Sequence, residues 1–153
     1  MARRGGGGVG TTLSGQSHVE VAGSIGKAEA SVTLPAEPAA VAHARALLER
    51  TLEQAGIEQS RRFEALLVTS ELVTNAVAHG SRPGDEIAVE VSLQGRRLRI
   101  GVRDAARGRA VPVLLSRDEQ RPAGRGLALV DWLAEWSERI VDGRREVRAE
   151  LTL

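Results

Sequence analysis

The sequence has no cysteine and no tyrosine, a single phenylalanine and a single lysine. Without cysteine there is no disulfide framework, no thiolate zinc site and no cysteine nucleophile. No apolar run approaches the ~18 residues that suggest a membrane span. Charge of one sign is not in excess either. Lys+Arg 21 against Asp+Glu 20 leaves a formal +1, which argues against retention on nucleic acid or membrane by bulk charge. Behind Met1-Ala2-Arg3-Arg4 come four glycines and no apolar stretch. The start therefore does not read as a secretory signal, nor Arg3-Arg4 as a twin-arginine one, and a cytoplasmic protein is expected.

What is present suits one domain. The 153 residues are 42% hydrophobic, enough for one core of ordinary size. Residues 1–28 are rich in Gly, Ser and Thr and poor in large apolar side chains. Such a segment buries too little surface to offset its ordering entropy. It is expected to be a mobile tail, within which Val19–Val21 could still add a strand, and 29–153 is the expected folded domain. Ser31-Val32-Thr33-Leu34 alternates as a strand does. Val41, Ala44, Leu48, Leu52 and Ala55 recur at helical steps, and Gly56 stops them. A second helix is predicted from about Ser60, its N-cap, to His79, with Gly80 just beyond and a core stripe of Phe63, Leu66, Leu67, Ser70, Val73 and Val77. Ile87–Leu93 and Leu98–Val102 form a hairpin across Gln94-Gly95. Residues 105–123 lack a period and carry four arginines. A third helix is predicted from Gly124 or Gly126 to near Ser137, with Trp132 and Trp136 one turn apart in core or rim positions. A last hairpin turns at Asp142-Gly143, placing Val147, Ala149, Leu151 and Leu153 on one face of its second strand. This order predicts an α+β two-layer sandwich, a mixed, mostly antiparallel sheet covered on one face by about three helices.

Three elements carry candidate chemistry. Glu71, Asn75 and His79 are spaced four and four, so a carboxylate, a carboxamide and an imidazole share one helical stripe. A solvated polar face ending in a dipole-friendly His gives the same pattern. Asp104 ends a predicted strand, where an Asp also serves as a turn former. Gly124-Arg125-Gly126-Leu127 opens a helix after a basic loop. Glycines there let backbone N–H groups approach a phosphate, and they equally make a flexible helix start. The phosphate loop of the G-x-x-x-x-G-K-[ST] type is absent.

Taken together the three resemble the histidine-kinase-like ATPases. Glu71-Leu72-Val73-Thr74-Asn75-Ala76-Val77-Ala78-His79-Gly80 resembles their N-box. Val102-Arg103-Asp104 resembles the start of their first glycine box, and Gly124-Arg125-Gly126-Leu127-Ala128-Leu129-Val130 the second. The resemblance covers about residues 30–153, and its nearest branch is the stand-alone bacterial anti-sigma factor serine kinases. It implies the Bergerat ATP-binding fold and an ATP-binding regulator that phosphorylates or sequesters a protein partner, a sigma factor or an anti-sigma factor antagonist. Neither direct nucleic-acid nor membrane binding is implied, and a homodimer is compatible with it. It also implies Mg²⁺ on Asn75, a general base at Glu71, and adenine selection by Asp104. Gly108, Gly124, Arg125, Gly126 and Leu127 would contact the nucleotide, under a lid formed by 105–123. His79 belongs to the N-box pattern and is not a phosphoacceptor; His18 and His43 read as surface residues. The sequence departs from the pattern once. The first glycine box is ordinarily Asp-x-Gly-x-Gly, and Ala106 replaces its first glycine. A methyl group there works against close approach of backbone to nucleotide. That favours the alternative of a non-catalytic protein-binding module with weakened or lost nucleotide binding.

Overall fold

The computed structural model describes residues 19–106 and 125–153. Its elements run β1 (Val19–Ser24), β2 (Lys27–Pro35), α1 (Ala40–Gln54), α2 (Gln59–His79), β3 (Glu86–Gln94), β4 (Arg97–Arg103), α3 (Arg125–Leu133), β5 (Glu135–Val141) and β6 (Arg144–Thr152). The six strands form one sheet in the order β1-β2-β3-β4-β6-β5, and every pairing is antiparallel. Val19–Ser24 forms the strand that the otherwise tail-like start could add around Val19–Val21, and residue 28 falls inside the β1–β2 hairpin. The expected α+β sandwich is thus what the chain adopts.

Period-2 alternation decides which face of each strand is buried. Val21, Ala30, Val91, Ile100, Ala149 and Trp136 lie side by side across the six strands, a row set by the register. This face is apolar and the helices cover it; Leu93, Leu98, Ile100 and Ala149 are fully buried there. α1 packs on β2 and α2, while α2 also meets α3, β4 and β6. The β5–β6 turn has positive φ at both Asp142 and Gly143, the backbone that a two-residue hairpin of this twist requires.

The second helix differs from expectation in its buried stripe. Its buried residues are Ala65, Val68, Thr69, Leu72, Val73 and Ala76, whereas Phe63 is 69% exposed. The inward stripe mixes Ala65, Thr69 and Ala76 with Val68, Leu72 and Val73, because α2 is packed between α1, α3 and the sheet and its inward side chains must fill that space closely. Helix α2 also begins one residue earlier than Ser60, with Glu58 as a cap that makes no side-chain hydrogen bond. The third helix is shorter than the periodicity predicts. It closes at Leu133 with the Ala134 N–H on the Val130 carbonyl at 2.8 Å, and Trp136 sits on β5 opposite Ala149. Trp132, expected in the core or at its rim, is 89% exposed. Pairing with β6 overrides the local helical pattern there.

Candidate functional site

Glu71 and Asn75 are half-buried on α2, next to the buried Leu72, Val73 and Ala76, and His79 at the helix end is exposed. Beyond the backbone ladder of α2, no side-chain hydrogen bond or ion pair ties Glu71 or Asn75 to another described residue. A half-buried carboxylate and carboxamide one turn apart, both without a side-chain partner among the described residues, can meet a ligand at the margin of the core.

The same helix ends against Asp104. Gly80 caps α2 with φ −104°, so its glycine is not required by the backbone angle. Space requires it. A Cβ on Gly80 would lie 1.8 Å from Asp104 Oδ2 and 2.7 Å from Arg145 Nη2. Asp104 follows β4 and keeps its parity, so its side chain enters the helix-covered face in register with Ile100 and Val102. It is 1% exposed. Arg145, the second residue of β6, lies directly opposite, and the ladder continues through the Asp104 N–H on the Arg145 carbonyl at 2.9 Å. Its guanidinium donates to Asp104 Oδ2 through Nε at 2.7 Å and through Nη2. The other oxygen, Oδ1, accepts the Ala106 N–H at 3.0 Å. Two ionised partners with charge-assisted hydrogen bonds make such burial tolerable.

Glu138 on β5 lies on this face too, with Oε1 3.7 Å from Arg145 Nη1. Burial pushes the Glu138 carboxyl above its ordinary range; Arg145 opposes the shift and Asp104 adds to it. Ser81, next to Gly80 in the chain, has a buried hydroxyl without a hydrogen-bond partner among the described residues. Arg145, Glu138 and the spatial role of Gly80 were not among the residues the sequence singled out. The available signal was parity: Arg145 shares a face with Val147, Ala149 and Leu151, and Asp104 with Leu98, Ile100 and Val102. Opposite charges on the apolar faces of neighbouring strands announce a buried pair.

Of the other expected residues, Arg125, Gly126 and Leu127 do open α3, which packs on α2. Gly108 and Gly124 lie outside the described residues, as does the expected lid apart from Ala105 and Ala106. Ala106 causes no backbone strain: Asp142 is the only described non-glycine residue with positive φ. A surface groove of about 480 Å³ lies elsewhere, on the opposite face of the sheet among Glu29, Ser31, Glu90, Ser92, Arg99 and Arg148. Among the described residues no group of three or more His, Asp or Glu could hold a metal alone. A Mg²⁺ at Asn75 would therefore rest largely on phosphate oxygens and water, which suits a hard cation. The Asn75 carboxamide is a donor that would suit such an ion, while Arg145 fills the acceptor at Asp104.

A six-stranded antiparallel sheet covered on one face by helices defines an α+β two-layer sandwich, with the Glu71–Asn75 stripe and the buried Asp104 on its helix-covered side. Residues 34–151 match the histidine kinase-like ATPase domain, and the chain belongs to that family. A comparison with curated proteins finds no match. No helix among the described residues is long and apolar enough to cross a membrane.

Proposed function

We propose that this protein is an ATP-binding regulator of the anti-sigma factor kinase type, acting on a protein partner in transcriptional control. Membership of the ATPase family implies ATP binding. The observation that carries the site assignment is the geometry of α2, where Glu71 and Asn75 share a half-buried stripe and Gly80 abuts Asp104. Asn75 would hold Mg²⁺ between phosphates, and the ion would supply charge neutralisation of the triphosphate. Glu71 would accept a proton from a serine hydroxyl or a water. Asp104 would accept the exocyclic amine of adenine, and the opening of α3 at Arg125, Gly126 and Leu127 would present backbone N–H groups to phosphate.

Titration of the full chain with ATP, with and without Mg²⁺, tests this reading. Saturable, Mg-dependent binding is expected, weaker for GTP, and lost in Asn75→Ala. If Asn75→Ala binds Mg-ATP as the parent does, the assignment is wrong. Transfer of labelled γ-phosphate to a sigma factor antagonist, abolished in Glu71→Gln, distinguishes a kinase from a binder.

The engagement of Asp104 by Arg145, together with Ala106 in the first glycine box, favours a second reading: a non-catalytic module that sequesters a partner with weakened nucleotide binding. Partner binding without phosphate transfer, equal in Glu71→Gln and parent, is its expected signature.

A further inference from the structure

Every approach to Asp104 is already taken by the chain itself. Oδ1 is used by the Ala106 N–H at 3.0 Å. Oδ2 takes Arg145 Nε at 2.7 Å and Nη2 as well. The Gly80 backbone lies so close to Oδ2 that not even a methyl group fits between them. With the carboxylate 1% exposed, an outside N–H donor can reach Oδ2 only where the guanidinium now stands.

We propose that Arg145 is a built-in occupant of the base end of the site: its guanidinium holds the position on Asp104 that the exocyclic amine of adenine needs, so nucleotide affinity and base preference are set by how readily Arg145 leaves. The proposal rests on the ATP-binding reading above and adds to it a residue outside the motifs that support that reading. Guanidinium and exocyclic amine are both planar N–H donors, and a single carboxylate oxygen in this confined place serves one or the other. Arg145 has somewhere to go. Glu138 Oε1 is 3.7 Å from its Nη1 on the same sheet face, so departure from Asp104 exchanges one carboxylate for another and does not strand a buried cation. A ligand amine arriving at Asp104 completes the exchange, leaving each acidic group partnered. Apparent affinity is then the intrinsic affinity multiplied by the fraction of molecules in the competent arrangement, and a substitution that empties the place removes that reduction.

The test is calorimetric titration of the full chain with Mg-ATP, Mg-GTP and Mg-tripolyphosphate, the last carrying phosphates but no base. Parent, Arg145→Thr and Arg145→Gln are compared, with thermal melts to confirm folding. Arg145→Gln keeps an N–H donor for Asp104 and carries the test if Arg145→Thr fails to fold. ATP is expected to bind Arg145→Thr at least tenfold more tightly than the parent, with a smaller gain in Arg145→Gln. Affinity for GTP and tripolyphosphate should not change. Unchanged or weaker ATP binding, with tripolyphosphate still bound, overturns the occupant role and leaves the phosphate site standing. An equal gain for tripolyphosphate or GTP shows that Arg145 acts through charge and overturns it too. Absence of binding by every ligand in every variant removes both the occupant role and the ATP-binding reading.

Discussion

Two carboxylates are buried on opposite faces of the same sheet, each 1% exposed, and they are held differently. Asp104, on the helix-covered face, has one guanidinium and one backbone N–H. Glu146, on the other face, has three guanidiniums: Arg139 at 3.0 Å, Arg148 at 2.8 Å and Arg103 at 3.4 Å. These arginines come from β5, β6 and β4, so Glu146 ties three strands together. Burial pushes its carboxyl up, but the hydrogen bond from Arg139, the charges of Arg148 and Arg139 and the hydrogen bond from Arg103 outweigh it and hold the group below its ordinary range. Loss of any one arginine leaves two. Loss of Arg145 leaves Asp104 with a single amide. Redundancy marks a structural tie, and a lone replaceable partner marks a place where a ligand can compete.

Each carboxylate also faces a glycine, and the contrast between the two glycines gives the largest expected effect. Gly80→Ala places a Cβ where Asp104 Oδ2 and Arg145 Nη2 now are. Breaking that buried pair should cost about 3–5 kcal/mol in denaturant unfolding. Next come the arginines. Arg145→Ala should cost roughly 3 kcal/mol by stranding Asp104. Arg139→Ala, losing one of three partners and half-exposed itself, should cost less than about 1 kcal/mol. Equal losses in this pair would erase the distinction between the two clusters.

A smaller effect is expected on the acid limb of the stability curve. The Glu146 carboxyl lies below its ordinary value of 4.5 in the folded chain. Its contribution is therefore present above that unfolded-state value and lost as pH falls through the lower folded-state one. Glu146→Gln should flatten stability against pH below about 4.5. Glu138 works in the opposite sense, because its folded-state value is raised. Its contribution is present at low pH and lost as pH rises through the folded-state value, so Glu138→Gln should alter stability above 4.5. The smallest effect belongs to Gly101→Ala. Its Cβ would meet Glu146 Oε1 at 3.5 Å, an ordinary contact, and the change should stay within about 0.5 kcal/mol. A loss comparable to that of Gly80→Ala would mean that the face bearing Glu146 is as tightly built as the site.

Much of the fold was legible because strand periodicity is strict. The alternation Ile87, Val89, Val91, Leu93 and its continuation in Leu98, Ile100, Val102 identifies the buried face without help from the structure. Helix α2 was legible in extent and misread in orientation, since residue size points to Phe63 where packing against α1, α3 and the sheet selects Ala65 and Thr69. The Glu71–Asn75 stripe needed only 3.6-residue arithmetic. The helical pattern runs on through Trp136 because nothing local reports that residues 135–141 pair with β6.

By itself the sequence determined the alternating strands, the helix lengths to within a few residues, and the alignment of Glu71 with Asn75, all consequences of local backbone period. Only the tertiary structure decided that Gly80 is glycine for want of space, and that Asp104 meets Arg145 across 41 residues of chain. Strand register placed Glu146 beneath three arginines drawn from different strands. These are contacts between distant segments, set by register and by packing in a filled interior. A local pattern carries the parity of each residue but not the identity of its neighbour across the sheet.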